Sequence, residues 1–177
     1  MLIPNEKVPQ LKVSLINGTE WDLYAQDPEN FTLVIFYRGL HCPVCKSYLE
    51  DLAQLREKFA NRGVHIIAIS TNTEELAKKT AEEWDIPGLP LGYGMSMEQA
   101  REWGLYISGA ISEKEPEQFF EPGLFLVRPD QNLYAGSVQT MPFARPRLAE
   151  VLKAVDFILE KDYPARGSET NYKQANA

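Results

Sequence analysis

The stretch Phe31-Thr32-Leu33-Val34-Ile35-Phe36-Tyr37-Arg38-Gly39-Leu40-His41-Cys42-Pro43-Val44-Cys45 decides the fold. Its first seven residues are a continuous apolar run, the pattern of a strand buried on both faces in a sheet covered by helices, and that strand is expected to be central. Arg38-Gly39-Leu40-His41 then turns the chain into a helix whose apolar residues Leu49, Leu52, Leu55 and Phe59 recur at helical spacing, ending near Asn61-Arg62-Gly63. The two cysteines of the chain lie at the start of that helix and at the carboxyl end of the strand, where open α/β sheets place their ligand sites.

On the N-terminal side, Leu11, Val13 and Leu15 alternate with polar residues, Asn17-Gly18 suits a type I′ turn, and Trp21 and Leu23 resume beyond it, giving an edge hairpin. On the other side, Val64 to Ile69 reads as a second buried strand. Asn72-Thr73-Glu74-Glu75 follows, with Asn72 as cap and Glu75 closing a capping box, before a helix carrying Leu76, Ala77 and Trp84 that stops before Pro87. Strand, helix, strand, helix implies parallel pairing with right-handed crossovers. Between Pro87 and Pro122 the pattern is irregular, with a short helix expected from Ser96 to about Tyr106 and an acidic loop from Glu113 to Glu117. Leu124–Val127 and Leu133–Val138 read as an antiparallel hairpin, and Leu148, Val151, Leu152, Val155, Ile158 and Leu159 mark one face of a closing helix. The expectation is a single domain over residues 1–163, with a polar, mobile tail over 164–177.

The 177 residues, 44% hydrophobic and 24% charged, suit one packed domain. Eighteen Lys and Arg against 25 Asp and Glu give a net charge of -7, which disfavours nucleic acid and anionic membranes as partners. Without a basic leader or an apolar run approaching about 20 residues, the expected setting is cytoplasmic, with no membrane contact.

A helix begun by Pro43 points free N–H groups and its positive dipole end at Cys42, favouring the thiolate. Cys45, one turn further in, is placed to displace whatever Cys42 has attacked, closing a small disulfide ring. Half a zinc site is the competing reading, but tetrahedral zinc needs four ligands, no second cysteine pair exists, and the two histidines are His41, next to Cys42, and His65, inside a strand expected to be buried. The other alternative is a pair of core cysteines. His41 either assists the thiolate and shuttles protons or serves as a packing platform. Arg38 and Lys46 either favour the thiolate or are solvated surface cations. His65 reads as part of its strand. No cofactor is expected and no metal.

Val34 through Cys45, with Gly123-Leu124-Phe125-Leu126-Val127 leading into a turn and second strand, resembles the thioredoxin-fold superfamily and, within it, the alkyl hydroperoxide reductase and thiol-specific antioxidant (peroxiredoxin-like) family, over roughly Val8 to Tyr163. The resemblance implies an α/β, thioredoxin-like fold with a central mixed sheet flanked by helices. Laid on the peroxiredoxin pattern, Cys45 takes the peroxidatic position, Cys42 replaces a threonine, Arg38 a proline, and Pro122 the arginine of a separate strand. Laid on thioredoxin, Cys42 is the nucleophile and Pro122 a cis-proline that shapes a substrate groove with Pro43, where the backbone of Glu121 pairs with an extended substrate. Phe36 then stands where thioredoxins bury an acid, leaving His41 or water to carry protons.

These readings imply a cytosolic thiol-disulfide oxidoreductase with an antioxidant or redox-homeostasis role. Cys42 attacks, Cys45 resolves, and Arg38 and His41 tune the thiolate. The alternatives are a peroxide reductase with Cys45 peroxidatic and Cys42 resolving, and a redox-responsive binding module using the acidic loop. The expected partners are a disulfide-containing protein, a small thiol or a peroxide, plus an external dithiol donor such as a thioredoxin or glutathione system. A homodimer is compatible with the sequence.

Overall fold

In the computed structural model, which describes residues 1–171, the run at residues 31–36 becomes a strand buried along its whole length. In chain order the elements are β1 (Lys12–Leu15), β2 (Glu20–Asp22), β3 (Phe31–Phe36), α1 (Pro43–Ala60), β4 (Val64–Ile69), α2 (Glu74–Glu83), β5 (Leu91–Tyr93), α3 (Met97–Glu102), β6 (Ile107–Gly109), β7 (Gln118–Phe120), β8 (Gly123–Val127), β9 (Leu133–Val138) and α4 (Leu148–Lys161). Seven strands form one mixed sheet in the order β2-β1-β5-β4-β3-β8-β9, and β6 and β7 pair separately. β3 lies between β4, its parallel neighbour, and β8, its antiparallel one. The N-terminal hairpin forms one edge, as its alternation implies.

Side chains alternate across β3, so its two faces serve two cores. Leu33, Ile35 and Tyr37 pack with Cys45, Leu49, Leu52 and Phe59 of α1 and with Val151, Leu152 and Val155 of α4. Each such aliphatic or aromatic side chain removed from water contributes about 1.5–3 kcal/mol. Val34 and Phe36 join the second core with Val13, Trp21, Trp103, Phe120 and Phe125. The Phe36 ring meets Trp103, Phe120 and Phe125 edge-on, with centroids 5.3, 5.7 and 5.7 Å away. Position 36 is therefore no place for an acid serving the dithiol: it lies among aromatic rings on the sheet face opposite α1.

Three local features lie outside the sequence reading. Thr73, not Asn72, caps α2, its Oγ1 accepting the Leu76 N–H at 3.3 Å, because the Asn72 side chain is buried and committed elsewhere. β5, unread in the sequence, runs through Gly92, where a Cβ would stand 2.6 Å from Val13 Cγ2; the glycine permits close approach within the sheet. Chain packing also continues beyond residue 163. Tyr134 Oη donates to the Tyr163 carbonyl at 2.8 Å and Ala165 is buried in the α1/α4 core. The part of the expected mobile tail at residues 172–177 lies outside the described residues. Among the described residues, no helix is long and apolar enough to cross a membrane.

Candidate active site

The turn from β3 to α1 is built on Gly39, whose φ of +128° few residues with a side chain adopt. Asn72 Oδ1 accepts the Leu40 N–H at 3.4 Å and its Nδ2 donates to Thr80 Oγ1 at 3.3 Å. The turn delivers Cys42 to the N-cap of α1, where its Sγ accepts the Cys45 N–H at 3.2 Å and Pro43 follows at the first helical position, exposed. Cys42 and Cys45 are joined in a disulfide, with Cα atoms 5.2 Å apart. Both are buried, at 1% and 0% exposure. A helix N-terminus directed at these sulfurs stabilises negative charge when the disulfide opens.

The sequence reading missed Arg145. It stands in the segment before α4, and its Nη2 is 2.9 Å from Cys45 Sγ and 4.0 Å from Cys42 Sγ. Its Nε donates to the Pro142 carbonyl at 2.9 Å, and the guanidinium lies 4.9 Å from the centroid of the Tyr48 ring. Tyr48 Oη in turn donates to the Pro146 carbonyl at 2.7 Å, fixing that segment to α1. Burial lowers the Arg145 pKa to about 10, so it remains cationic at neutral pH. Nothing local distinguishes this arginine from neighbouring Arg147; only its setting between Pro142 and Pro146, ahead of an amphipathic helix, hints at a fixed position.

Arg38 is not a solvated cation. Its Nη2 is 3.2 Å from Glu115 Oε1, its Nε is 3.7 Å from Glu121 Oε2, and its guanidinium lies 4.5 Å from the Phe119 centroid. Glu115 also accepts the Ile111 N–H at 2.9 Å, so the centre of the acidic loop is turned inward. The His41 ring packs 4.7 Å from the same Phe119, with Nε2 buried and without a hydrogen-bond partner. Burial first, and the Arg38 charge second, lower the His41 pKa, with Glu115 opposing them in part. Lys46 pairs with Glu50 at 3.8 Å on the outer side of α1. His65 is exposed at the amino end of β4, the opposite end of the parallel pair from the disulfide. Among the described residues no three His, Cys, Asp or Glu side chains converge as a metal would require.

Because His41 accepts a proton less readily in the folded chain than in the unfolded one, the stability it supports is complete above about pH 6.5. That stability declines as pH falls toward the folded-state pKa, and the curve then flattens. Urea unfolding between pH 7.5 and 5 measures this slope, which is expected to shrink in His41→Gln; equal slopes would contradict the assignment.

The cis-proline expectation fails. No cis peptide bond occurs among the described residues, so Pro122 is trans, the form X-Pro bonds prefer by about 0.5–1 kcal/mol. Its segment runs on extended between the two sheets, with the Glu121 N–H donated to the Tyr106 carbonyl at 2.8 Å and the Pro122 carbonyl accepting from Gln139 N–H at 2.9 Å. The Glu121 amide is thus already engaged and not free to pair with a substrate. Pro122 and Arg145 line one small cavity of about 10 Å³ together with Tyr48 and Gln139, room for no more than a single water.

A CxxC disulfide capping a helix at the end of a central strand, in a mixed sheet flanked by helices, defines a thiol-dependent redox protein of the thioredoxin fold. Residues 4–135 match the AhpC/TSA family, and the chain belongs to that family. No match is found among curated proteins. Among solved structures it is similar to peroxidoxin BcpB from Mycobacterium tuberculosis, with TM-score 0.72 and 18% identity over 89% of this chain and 99% of that one. It is likewise similar to the yeast mitochondrial 1-Cys peroxiredoxin (0.75, 16%, 99% and 85%) and to the mitochondrial 2-Cys peroxiredoxin of Plasmodium falciparum (0.71, 16%, 90% and 96%).

Proposed function

We propose that the chain is a cytoplasmic thiol-disulfide oxidoreductase that cycles Cys42 and Cys45 between dithiol and disulfide. The supporting observation is the asymmetry of the pair: Arg145 sits on Cys45 at 2.9 Å and only at 4.0 Å from Cys42, while Cys42 caps the helix beside exposed Pro43. A donor thiolate attacks Cys42 Sγ, the Cys42–Cys45 bond breaks, and the electron pair leaves on Cys45 Sγ, held by Arg145. The donor's second thiolate then attacks its own sulfur in the mixed disulfide and releases Cys42, so two electrons and two protons have entered the protein. In the opposite direction Cys42 attacks a substrate disulfide and Cys45 displaces the substrate. Arg38 and His41 flank Cys42 and tune it, with water carrying protons to the pair. Pro43 and Pro122 shape the approach. The proposed donor is a dithiol of the thioredoxin type, or two glutathiones in turn, the second attacking the glutathione sulfur of the mixed disulfide and departing as oxidised glutathione; the similar yeast protein's resolving mechanism runs via glutathione/thioredoxin systems.

The same arginine favours a second reading, peroxide reduction, since it gives Cys45 a guanidinium where Pro122 supplies none. There Cys45 thiolate attacks a peroxide oxygen, the O–O bond breaks, and the alcohol or water departs. The resulting sulfenic acid condenses with Cys42, losing water and forming the same disulfide. Serine variants separate the two. A stable mixed disulfide on Cys42 in Cys45→Ser, with slow peroxide consumption, is expected for the first reading. Rapid peroxide consumption with sulfenate on Cys45 in Cys42→Ser would replace it with the second.

A further inference from the structure

Among the described residues Glu121 is the only fully buried charged side chain, at 4% exposure. Its Oε1 accepts from Ser108 Oγ at 2.6 Å. Its Oε2 faces Arg38 Nε at 3.7 Å, and both of these atoms are buried without a hydrogen bond. A carboxylate so placed carries a desolvation cost that one long ion pair does not fully offset. The reaction gives it no direct part, yet its charge acts on Arg145, the cation that contacts Cys45 Sγ. Pro122, the next residue, lines the same cavity as Arg145, and the Arg145 charge is attracted by Glu121 and repelled by Arg38. Two arginines, Arg38 and Arg145, and two carboxylates, Glu115 and Glu121, therefore balance around a neutral disulfide. Reduction adds a thiolate to this set.

We propose that Glu121 is a positioning residue that sets the acidity of the Cys45 thiol and the potential of the disulfide, by fixing Arg38 and opposing the charge of Arg145. Its negative charge raises the free energy of the thiolate, which keeps the disulfide more reducing than the two arginines alone would make it. The proposal rests on the reading of Cys42 and Cys45 as a cycling pair. The charged and titratable groups around them come from the turn (Arg38, His41), from α1 (Tyr48), from the β6–β7 connection and β7–β8 junction (Glu115, Glu121) and from the segment before α4 (Arg145).

The test is a redox titration against glutathione at pH 8, with the Cys45 thiol pKa measured in a Cys42→Ser background. Glu121→Gln is expected to shift the exchange constant about tenfold toward the dithiol, about 30 mV, and to lower the thiol pKa by about one unit. Arg38→Gln is expected to shift both the other way, the double variant to return near wild type, and Glu121→Asp to stay near it. Loosening of the fold alone would move both single variants in the same direction, and that result, or no shift in either, overturns the proposal. Should Glu121→Gln fail to fold, Glu115→Gln is expected to shift in the same direction by less; no shift, or the opposite one, overturns it equally. A wild-type protein without a reversible transition would instead refute the cycling pair itself.

Discussion

Replacing Arg145 with methionine is expected to slow thiol-disulfide exchange by roughly 10- to 100-fold, equivalent to losing a hydrogen bond to a charged group, about 1.5–3 kcal/mol. The guanidinium is 2.9 Å from Cys45 Sγ, and in the disulfide that sulfur is neutral, so a buried cation lacks a full counter-ion there. Opening the disulfide supplies one. The thiolate gains a charge-assisted donor and the arginine gains an anion, so both effects favour the reduced form. Cys45 consequently leaves faster and the disulfide is more oxidising with the arginine than without it. The variant's potential should fall by roughly 30–60 mV, since 30 mV corresponds to about 1.4 kcal/mol for two electrons. Arg145→Lys should recover only part of the rate, because lysine keeps the charge but loses the planar fork that lies over Tyr48. Stopped-flow exchange with a small disulfide, alongside a glutathione titration, measures both quantities. Wild-type values in Arg145→Met would remove the arginine from the chemistry.

The second large effect is expected at Gly39. A Cβ there would stand 2.5 Å from Asn72 Oδ1, on backbone with φ +128°. Gly39→Ala combines left-handed strain of about 1–3 kcal/mol with the displacement of Asn72, which costs its bonds to Leu40 N and Thr80 Oγ1 at about 0.5–1.5 kcal/mol each. A total near 3 kcal/mol should lower Tm by roughly 6–12 °C in a domain of this size. Removing the clash as well, in Gly39→Ala/Asn72→Ala, should cost less than the sum of the two single variants. Strict additivity in thermal unfolding would mean that the two residues do not constrain each other.

Both predictions turn on tertiary neighbours, and this explains what could be read from the sequence. The core strands, α1, α4 and the edge hairpin announce themselves by local periodicity, as does a dithiol placed where a helix starts. β5, β6 and β7 are three residues each, too short for any period to show, and Gly92, a site of close approach, lies in the stretch whose pattern is irregular. Asn72 looked like a helix cap because its spacing to Glu75 is right; its side chain was claimed by a turn 32 residues earlier. Arg145 lies 100 residues from Cys45, so no spacing rule could link them. The sequence singles out both Arg38 and Glu121, the first as a cation that tunes the thiolate or is solvated, the second for its backbone. Their partnership through side chains depends on the β6–β7 ribbon folding back onto the dithiol turn.

The most direct test of the central claim, that Cys42 and Cys45 form a working redox couple and not a structural staple, is the reduction potential of their disulfide. Titration of the wild-type protein in glutathione and dithiothreitol buffers, read by thiol labelling and mass spectrometry, should show one reversible two-electron transition. Its midpoint should lie above about -300 mV, in the range of catalytic rather than structural disulfides. A midpoint below that value, or cysteines that never pair across the buffer range, would contradict the account.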